Sequence, residues 1–245
     1  MTNQAPTPFS VPGRVLAIGA HPDDIEFGCG ATLAKWSAAG AEVHLLVLTD
    51  GSKGTWDADA DIATLVVERE SEQRVAADAL GAAEVRHLRI VDGELENDTE
   101  TRARVSDAIR DVRPEVVLGH DPWKRYRLHP DHRRAGEVTI EAIVAARDPH
   151  FVPGRGAPHR PDALLLFEAE MVDHVEDVTE HLDTKVAALL AHRSQWRSTM
   201  GIDEGDRRSD EQREAFAEQV RADAAAAASD ADFGLGEAFK LVQPL

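Results

Sequence analysis

A length of 245 residues suits one large α/β domain, or one domain with a small appendage, and 42% hydrophobic against 29% charged residues marks the chain as globular rather than disordered. The formal charge of −18 argues against nucleic acid or an anionic membrane surface as partner, and a small neutral or locally paired ligand fits better. No apolar run is long enough to span a bilayer, and the stretch 1–13 has neither the basic start nor the apolar centre of a secretory signal. The single cysteine, Cys29, cannot form an internal disulfide and reads as a small packing residue, so cytoplasmic residence is expected.

In chain order, short branched or aliphatic runs at 15–18, 43–48, 85–90, 116–118 and 163–167 predict five strands. Between them lie helical patterns over 31–39, closed by Gly40, over 62–80, closed by Gly81, and over 99–112, stopped before Pro114. Strand and helix in alternation predict an α/β fold, a Rossmann-like three-layer sandwich with a mostly parallel sheet. Beyond the fifth strand the pattern turns to helix only, over 178–196 and 213–228. The Ala-rich end of the second helix reads as a solvated or subunit-packing face without chemistry.

The chemistry concentrates in two short loops. His21-Pro22-Asp23-Asp24 follows the first strand, at the carboxyl end where parallel sheets open onto a ligand crevice. His129-Pro130-Asp131-His132 follows the fourth strand, so the sheet delivers both loops to one rim. An imidazole and a carboxylate from one loop and an imidazole from the other make a two-histidine, one-carboxylate set with open positions, which suits zinc. Each loop also has a bland reading: Pro22-Asp23-Asp24 as a turn capping the next helix, and the histidine pair as surface residues at a helix start.

These residues resemble the LmbE-like deacetylases, the PIG-L superfamily. The resemblance rests on the run from Ala20 through His21-Pro22-Asp23-Asp24-Ile25-Glu26 into Gly28-Cys29-Gly30-Ala31-Thr32-Leu33-Ala34, and on His129-Pro130-Asp131-His132. Leu48-Thr49-Asp50-Gly51 with Gly54, Arg69 with Glu72, Leu80-Gly81, Asp92-Gly93, and Lys185 with His192-Arg193-Ser194-Gln195 extend it along most of the chain. The resemblance implies one deacetylase domain over 1–245, with an N-terminal arm at 1–13 and a mainly helical part at 178–245. It implies His21, Asp24 and His132 as metal ligands, Asp23 as general base, and His129 as a second catalytic histidine that acts on the oxyanion or the departing nitrogen. Arg69 and Asp92 match positions that contact sugar hydroxyls in relatives, beside their plainer readings as a helix-surface ion pair and a turn residue. Asp131 reads as the helix N-cap, close enough to serve also as an acceptor behind the metal ligands, without a catalytic role.

The implied cofactor is Zn2+, with Fe2+ and other divalent ions able to bind the same set. The implied reaction is removal of an acetyl group from an N-acetylglucosamine-type sugar or conjugate. Relatives form trimers and hexamers, which makes a homo-oligomer the expectation. Alternatives are an amidase on a larger N-acyl conjugate, such as a thiol-sugar adduct or glycopeptide, and a catalytically silent sugar-binding protein. A two-metal phosphoesterase is disfavoured, because the only asparagines are Asn3 and Asn97. Arg127 stands where some relatives carry a tyrosine, and Tyr126, Arg127 and His192 receive no role.

Overall fold

The computed structural model describes residues 9–245; the first eight residues of the expected arm, and with them most of the stretch read for a secretory signal, lie outside the described residues. The chain runs β1 (Arg14–Gly19), α1 (Asp24–Ala38), β2 (Glu42–Thr49), α2 (Ile62–Ala79), β3 (Glu84–Ile90), α3 (Thr99–Val112), β4 (Val116–His120), α4 (Pro130–Arg147) and β5 (Ala163–Phe167). It continues through β6 (His174–Asp177), α5 (Leu182–Leu190), a 3₁₀ turn (Arg193–Gln195), a π turn (Trp196–Met200), α6 (Ser209–Ala227) and β7 (Gly236–Val242). The sheet order is β3-β2-β1-β4-β5-β7-β6, with β1 to β5 parallel and β7 antiparallel to both its neighbours. β1 therefore stands between β2 and β4, and the crevice at this switch point is where a parallel sheet places its ligands.

Alternation along the strands sorts two cores. Val15, Ala17, Val43 and Leu45 pack with Leu33, Trp36, Ala76 and Ala188 on one face, beneath α1, α2 and α5. Leu16, Ile18, Leu46 and Val117 pack with Val105, Ile109, Val138 and Ala142 on the other, beneath α3 and α4. Both faces are covered, which is why the central strands read as unbroken apolar runs. A third cluster, with Leu182, Leu189, Trp196, Met200 and Val220, ties α5 and α6 to the body. Among the described residues, no helix is long and apolar enough to cross a membrane.

The expectation of helix only after the fifth strand is corrected by β6 and β7. Each is short or follows a Gly-rich turn, and each is recruited by pairing at the sheet edge rather than by its own periodicity. The helix expected from residue 31 also begins earlier, at Asp24, and is kinked at Cys29, whose φ of −152° leaves the helical region. Gly28 and Gly30 flank the kink and weaken helix propensity there, so the pattern becomes legible only past it. A Cβ at Gly28 would run into the Phe167 ring, so glycine is what lets α1 lie against β5.

The kink frees the N–H groups of the second half of α1. Glu237 on β7 accepts from Ala31 N at 3.1 Å and Thr32 N at 2.7 Å, and so acts as a cap supplied from another strand. Lys185 on α5 balances this buried carboxylate at 2.7 Å and also donates to the Phe27 carbonyl at 2.7 Å.

Candidate active site

The loop after β1 is held from several sides. Asp23 sits at φ 103°, a left-handed conformation that costs a non-glycine residue about 1–3 kcal/mol. Its N–H donates to Gln73 Oε1 at 3.1 Å, and Gln73 in turn donates to the fully buried Glu26 at 2.6 Å. Arg69 donates to the Gly51 carbonyl at 2.8 Å and the Pro22 carbonyl at 2.6 Å, with Asp23 Oδ2 at 3.5 Å. Although Asp23 precedes α1, its side chain makes no capping bond, so the bland capping reading does not describe it. Burial raises the Asp23 carboxyl to about 6 despite the opposing charge of Arg69.

Asp24 is the hub. Its Oδ2 accepts the His21 N–H at 2.6 Å and lies 3.1 Å from His21 Nδ1, while its Oδ1 lies 3.3 Å from His132 Nε2. The rings of His21 and His132 are 5.2 Å apart, which brings both histidine loops together at the rim. Burial opposes ionisation of Asp24, but His132 and His120 hold its carboxyl well below the usual range.

The donor types around Asp24, imidazole nitrogens and a carboxylate, are those a divalent metal such as zinc takes. Ligand atoms held at about 2.0–2.1 Å around a tetrahedral zinc are roughly 3.3 Å from one another. Pairwise separations of that size occur on both oxygens of Asp24, with His21 Nδ1 3.1 Å from Oδ2 and His132 Nε2 3.3 Å from Oδ1. Three overlapping groups, His21 with His129 and His132, Asp24 with His120 and His132, and His21 with Asp92 and Asp131, each bring one donor atom per residue within 4.8 Å of the others; the expected His21, Asp24 and His132 are divided between the first two, which share His132.

The other expected residues come to the same cavity. His129, half-exposed, faces His21 with ring centroids 4.6 Å apart; burial and then the neighbouring histidines lower its pKa. Asp92 is buried, with Oδ1 3.1 Å from His21 Nε2 and Oδ2 accepting the Lys53 N–H at 3.0 Å; these contacts outweigh burial and bring it to about 2. Arg69 is 3% exposed and carries no glutamate partner, so the helix-surface ion pair is replaced by its hold on the β1 and β2 loops. Asp131 is not the cap of α4. His129 takes that place, with its side chain accepting the Asp131 N–H at 3.3 Å, and Asp131 turns inward to accept Gly93 N–H at 2.6 Å beside His21 Nε2 at 3.3 Å.

Two residues of the cluster carried no expectation. His120, the last residue of β4, has Nε2 3.4 Å from Asp24 Oδ2 and Nδ1 3.3 Å from Glu168 Oε2. Glu168, directly after β5, also lies 3.7 Å from His132 Nδ1 and accepts from Arg127 at 2.8 Å. Both stand where a parallel strand ends, the rule that singled out His21, and applying it to every strand would have found them. Arg127 donates to His132 Nδ1 at 2.9 Å, leaving Nε2 for the hub, whereas Tyr126 points away and is 91% exposed. His192 is fully buried, 3.5 Å from Glu26, behind the Asp23 loop. The cavity is about 440 Å³, and Trp56 and Ser198 complete its wall.

A parallel sheet whose strand ends gather histidines and carboxylates around an open cavity defines a hydrolase-type α/β site. The chain belongs to the PIG-L family, whose model, described as GlcNAc-PI de-N-acetylase, matches residues 16–143. It is 36% identical over 194 residues to diacetylchitobiose deacetylase of Thermococcus kodakarensis, covering 77% of this chain and 72% of that one. It is 34% identical over 250 residues to 1D-myo-inositol 2-acetamido-2-deoxy-alpha-D-glucopyranoside deacetylase of Kineococcus radiotolerans, covering 75% and 69%. The fold matches N,N'-diacetylchitobiose deacetylase from Pyrococcus horikoshii with a TM-score of 0.84 at 29% identity, over 97% of this chain and 86% of that one.

Proposed function

We propose that the protein is a divalent-metal-dependent hydrolase, with zinc as the working ion, that removes the acetyl group from an N-acetylglucosamine-type sugar or conjugate. The reading rests on one observation: a buried carboxylate, Asp23, held at positive φ by Gln73 and Arg69, borders the same cavity as the His21, Asp24 and His132 cluster. Relatives at 36% and 34% identity that deacetylate such sugars support the substrate class.

In this reading His21, Asp24 and His132 hold the ion, which supplies Lewis acidity that acidifies water and polarises an amide carbonyl at neutral pH. Asp23 receives the proton of the attacking water at its carboxylate, an effect worth about 10²–10⁴ in rate. Gln73, Arg69 and the Glu26 contact keep that carboxylate aimed at the cavity, so its loop does not relax from the strained conformation. His129, with the most open ring of the cluster, faces the departing nitrogen and the oxyanion. Arg69 and Asp92 form the wall met by sugar hydroxyls, although most of their polar atoms already engage the loops.

The test is release of acetate and free amine from N-acetylglucosamine and diacetylchitobiose, before chelation, after it, and after zinc readdition. Loss and recovery of release with the metal is the expected result. A fully metallated protein that releases neither product sinks the reading.

A further inference from the structure

A second cavity of about 620 Å³ opens beside the catalytic one, and both share Phe27, Glu168 and Thr199 as wall. Its far side is one face of α6, where Gln212, Phe216, Gln219, Val220 and Asp223 recur at helical spacing. Its floor comes from the π turn at Met200, from α5 at Lys185 and from β7 at Glu237. The C-terminal part of the chain thus builds an open chamber that shares a wall with the catalytic cavity.

The chamber's chemistry selects a kind of occupant. Phe27 and Phe216, set edge to face with centroids 6.2 Å apart, and Met200 and Val220 present apolar surface. Most of the charges nearby are already paired. Lys185 is spent on Glu237 and the Phe27 carbonyl, each at 2.7 Å. Glu168 faces Arg127 and His120, and Asp223 accepts from Gln219 at 2.8 Å. An anionic ligand would find no free cation among the described lining residues and would meet the Asp223 carboxylate, whereas an uncharged apolar group would cover the aromatic surface.

We propose that this chamber is the subsite for the non-reacting end of the substrate, and that it takes an uncharged, mainly apolar substituent carried by the N-acetylated sugar. The proposal rests on the deacetylase reading for the catalytic cavity and specifies its substrate: a hydrophobic glycoconjugate in preference to the free sugar. The shared wall favours this occupant, because Phe27, which lines both cavities, carries apolar surface from the catalytic one to Phe216 in the chamber.

The experiment compares kcat/KM for octyl N-acetyl-β-glucosaminide and N-acetylglucosamine in the wild type and in Ala215→Trp and Gln219→Trp, which fill the chamber from exposed positions on α6. Binding of the octyl glycoside is measured alongside by calorimetry, independently of turnover. The wild type should favour the octyl glycoside by about tenfold or more, as burial of only a few methylenes would give. Both tryptophan variants should bring that ratio toward one and weaken binding in step. Equal kcat/KM for both compounds in the wild type, with binding untouched by either variant, overturns the subsite. So does a wild-type dimer that either variant converts to monomer, because a second copy then covers the chamber. Binding that the variants abolish, in a protein that hydrolyses neither compound, upholds the chamber while the deacetylase reading fails.

Discussion

The rim of the parallel sheet and the C-terminal quarter of the chain contribute to the same site in opposite ways. At the rim, reactive side chains sit on strand ends and on the loops that follow them, as His21, Asp23 and Asp24 do after β1, His120 at the end of β4, and His129 and His132 where the next loop enters α4. In the C-terminal quarter, residues act across the fold: Glu237 caps the second half of α1, Ser194 donates to Glu72 at 2.7 Å, and Gln195 donates to the Gly54 carbonyl at 3.0 Å. Local loops carry the chemistry, and remote elements give those loops their shape. Damage to the first region should therefore remove activity from a stable protein, and damage to the second should cost stability.

The sharpest test of that division is His132→Ala, which should abolish metal retention, by elemental analysis, together with turnover, while the melting temperature without metal changes little. Asp23→Asn comes next: turnover should fall about 10²–10⁴-fold with roughly one metal per chain retained, because a base is lost and not a ligand. Unchanged turnover in this variant would remove Asp23 from the mechanism and leave the metal site standing.

On the other side of the comparison, Glu237→Ala should cost about 3–5 kcal/mol in urea unfolding, since it strands buried Lys185 and the Ala31 and Thr32 N–H groups. A loss under about 1 kcal/mol would mean that water replaces the carboxylate and that the remote cap is dispensable.

The smallest effect is a pH dependence. Burial pushes the Glu176 carboxyl up, but His174 and Lys35, each at 2.7 Å, outweigh it and hold the group below its usual range. A depressed carboxylate stabilises the fold above its unfolded pKa, and that stability is lost as the pH falls through the folded value. Lys35→Met should therefore be less stable than wild type by about 1 kcal/mol near neutral pH, and the two should converge in acid. A gap that persists in acid would assign the effect to packing of the lysine stem instead.

What could be read in advance follows the same division. The central parallel strands β1, β2, β4 and β5 were legible because both their faces are buried, edge strand β3 because of its aliphatic residues, and the two histidine loops because reactive residues cluster at the strands' carboxyl rim. β6 and β7 were not legible, because β6 is only four residues long and β7 is recruited by pairing with β5, distant in sequence, and with β6; the start of α1 was obscured by Gly28 and Gly30. His120 was overlooked because it lies within a strand rather than in a conspicuous motif, and Asp131 looked like a cap because its hydrogen bond to Gly93 depends on how the β3 and β4 loops meet.

By itself the sequence determined the sheet's central strands, the family and the loops that bear the reactive groups, since periodicity and short motifs are encoded by neighbours along the chain. Only the tertiary structure decided that Asp23 is buried and held at positive φ, that Glu237 caps α1 from β7, and that a second chamber adjoins the first. Each depends on groups from different elements excluding water together, and no local pattern carries that information.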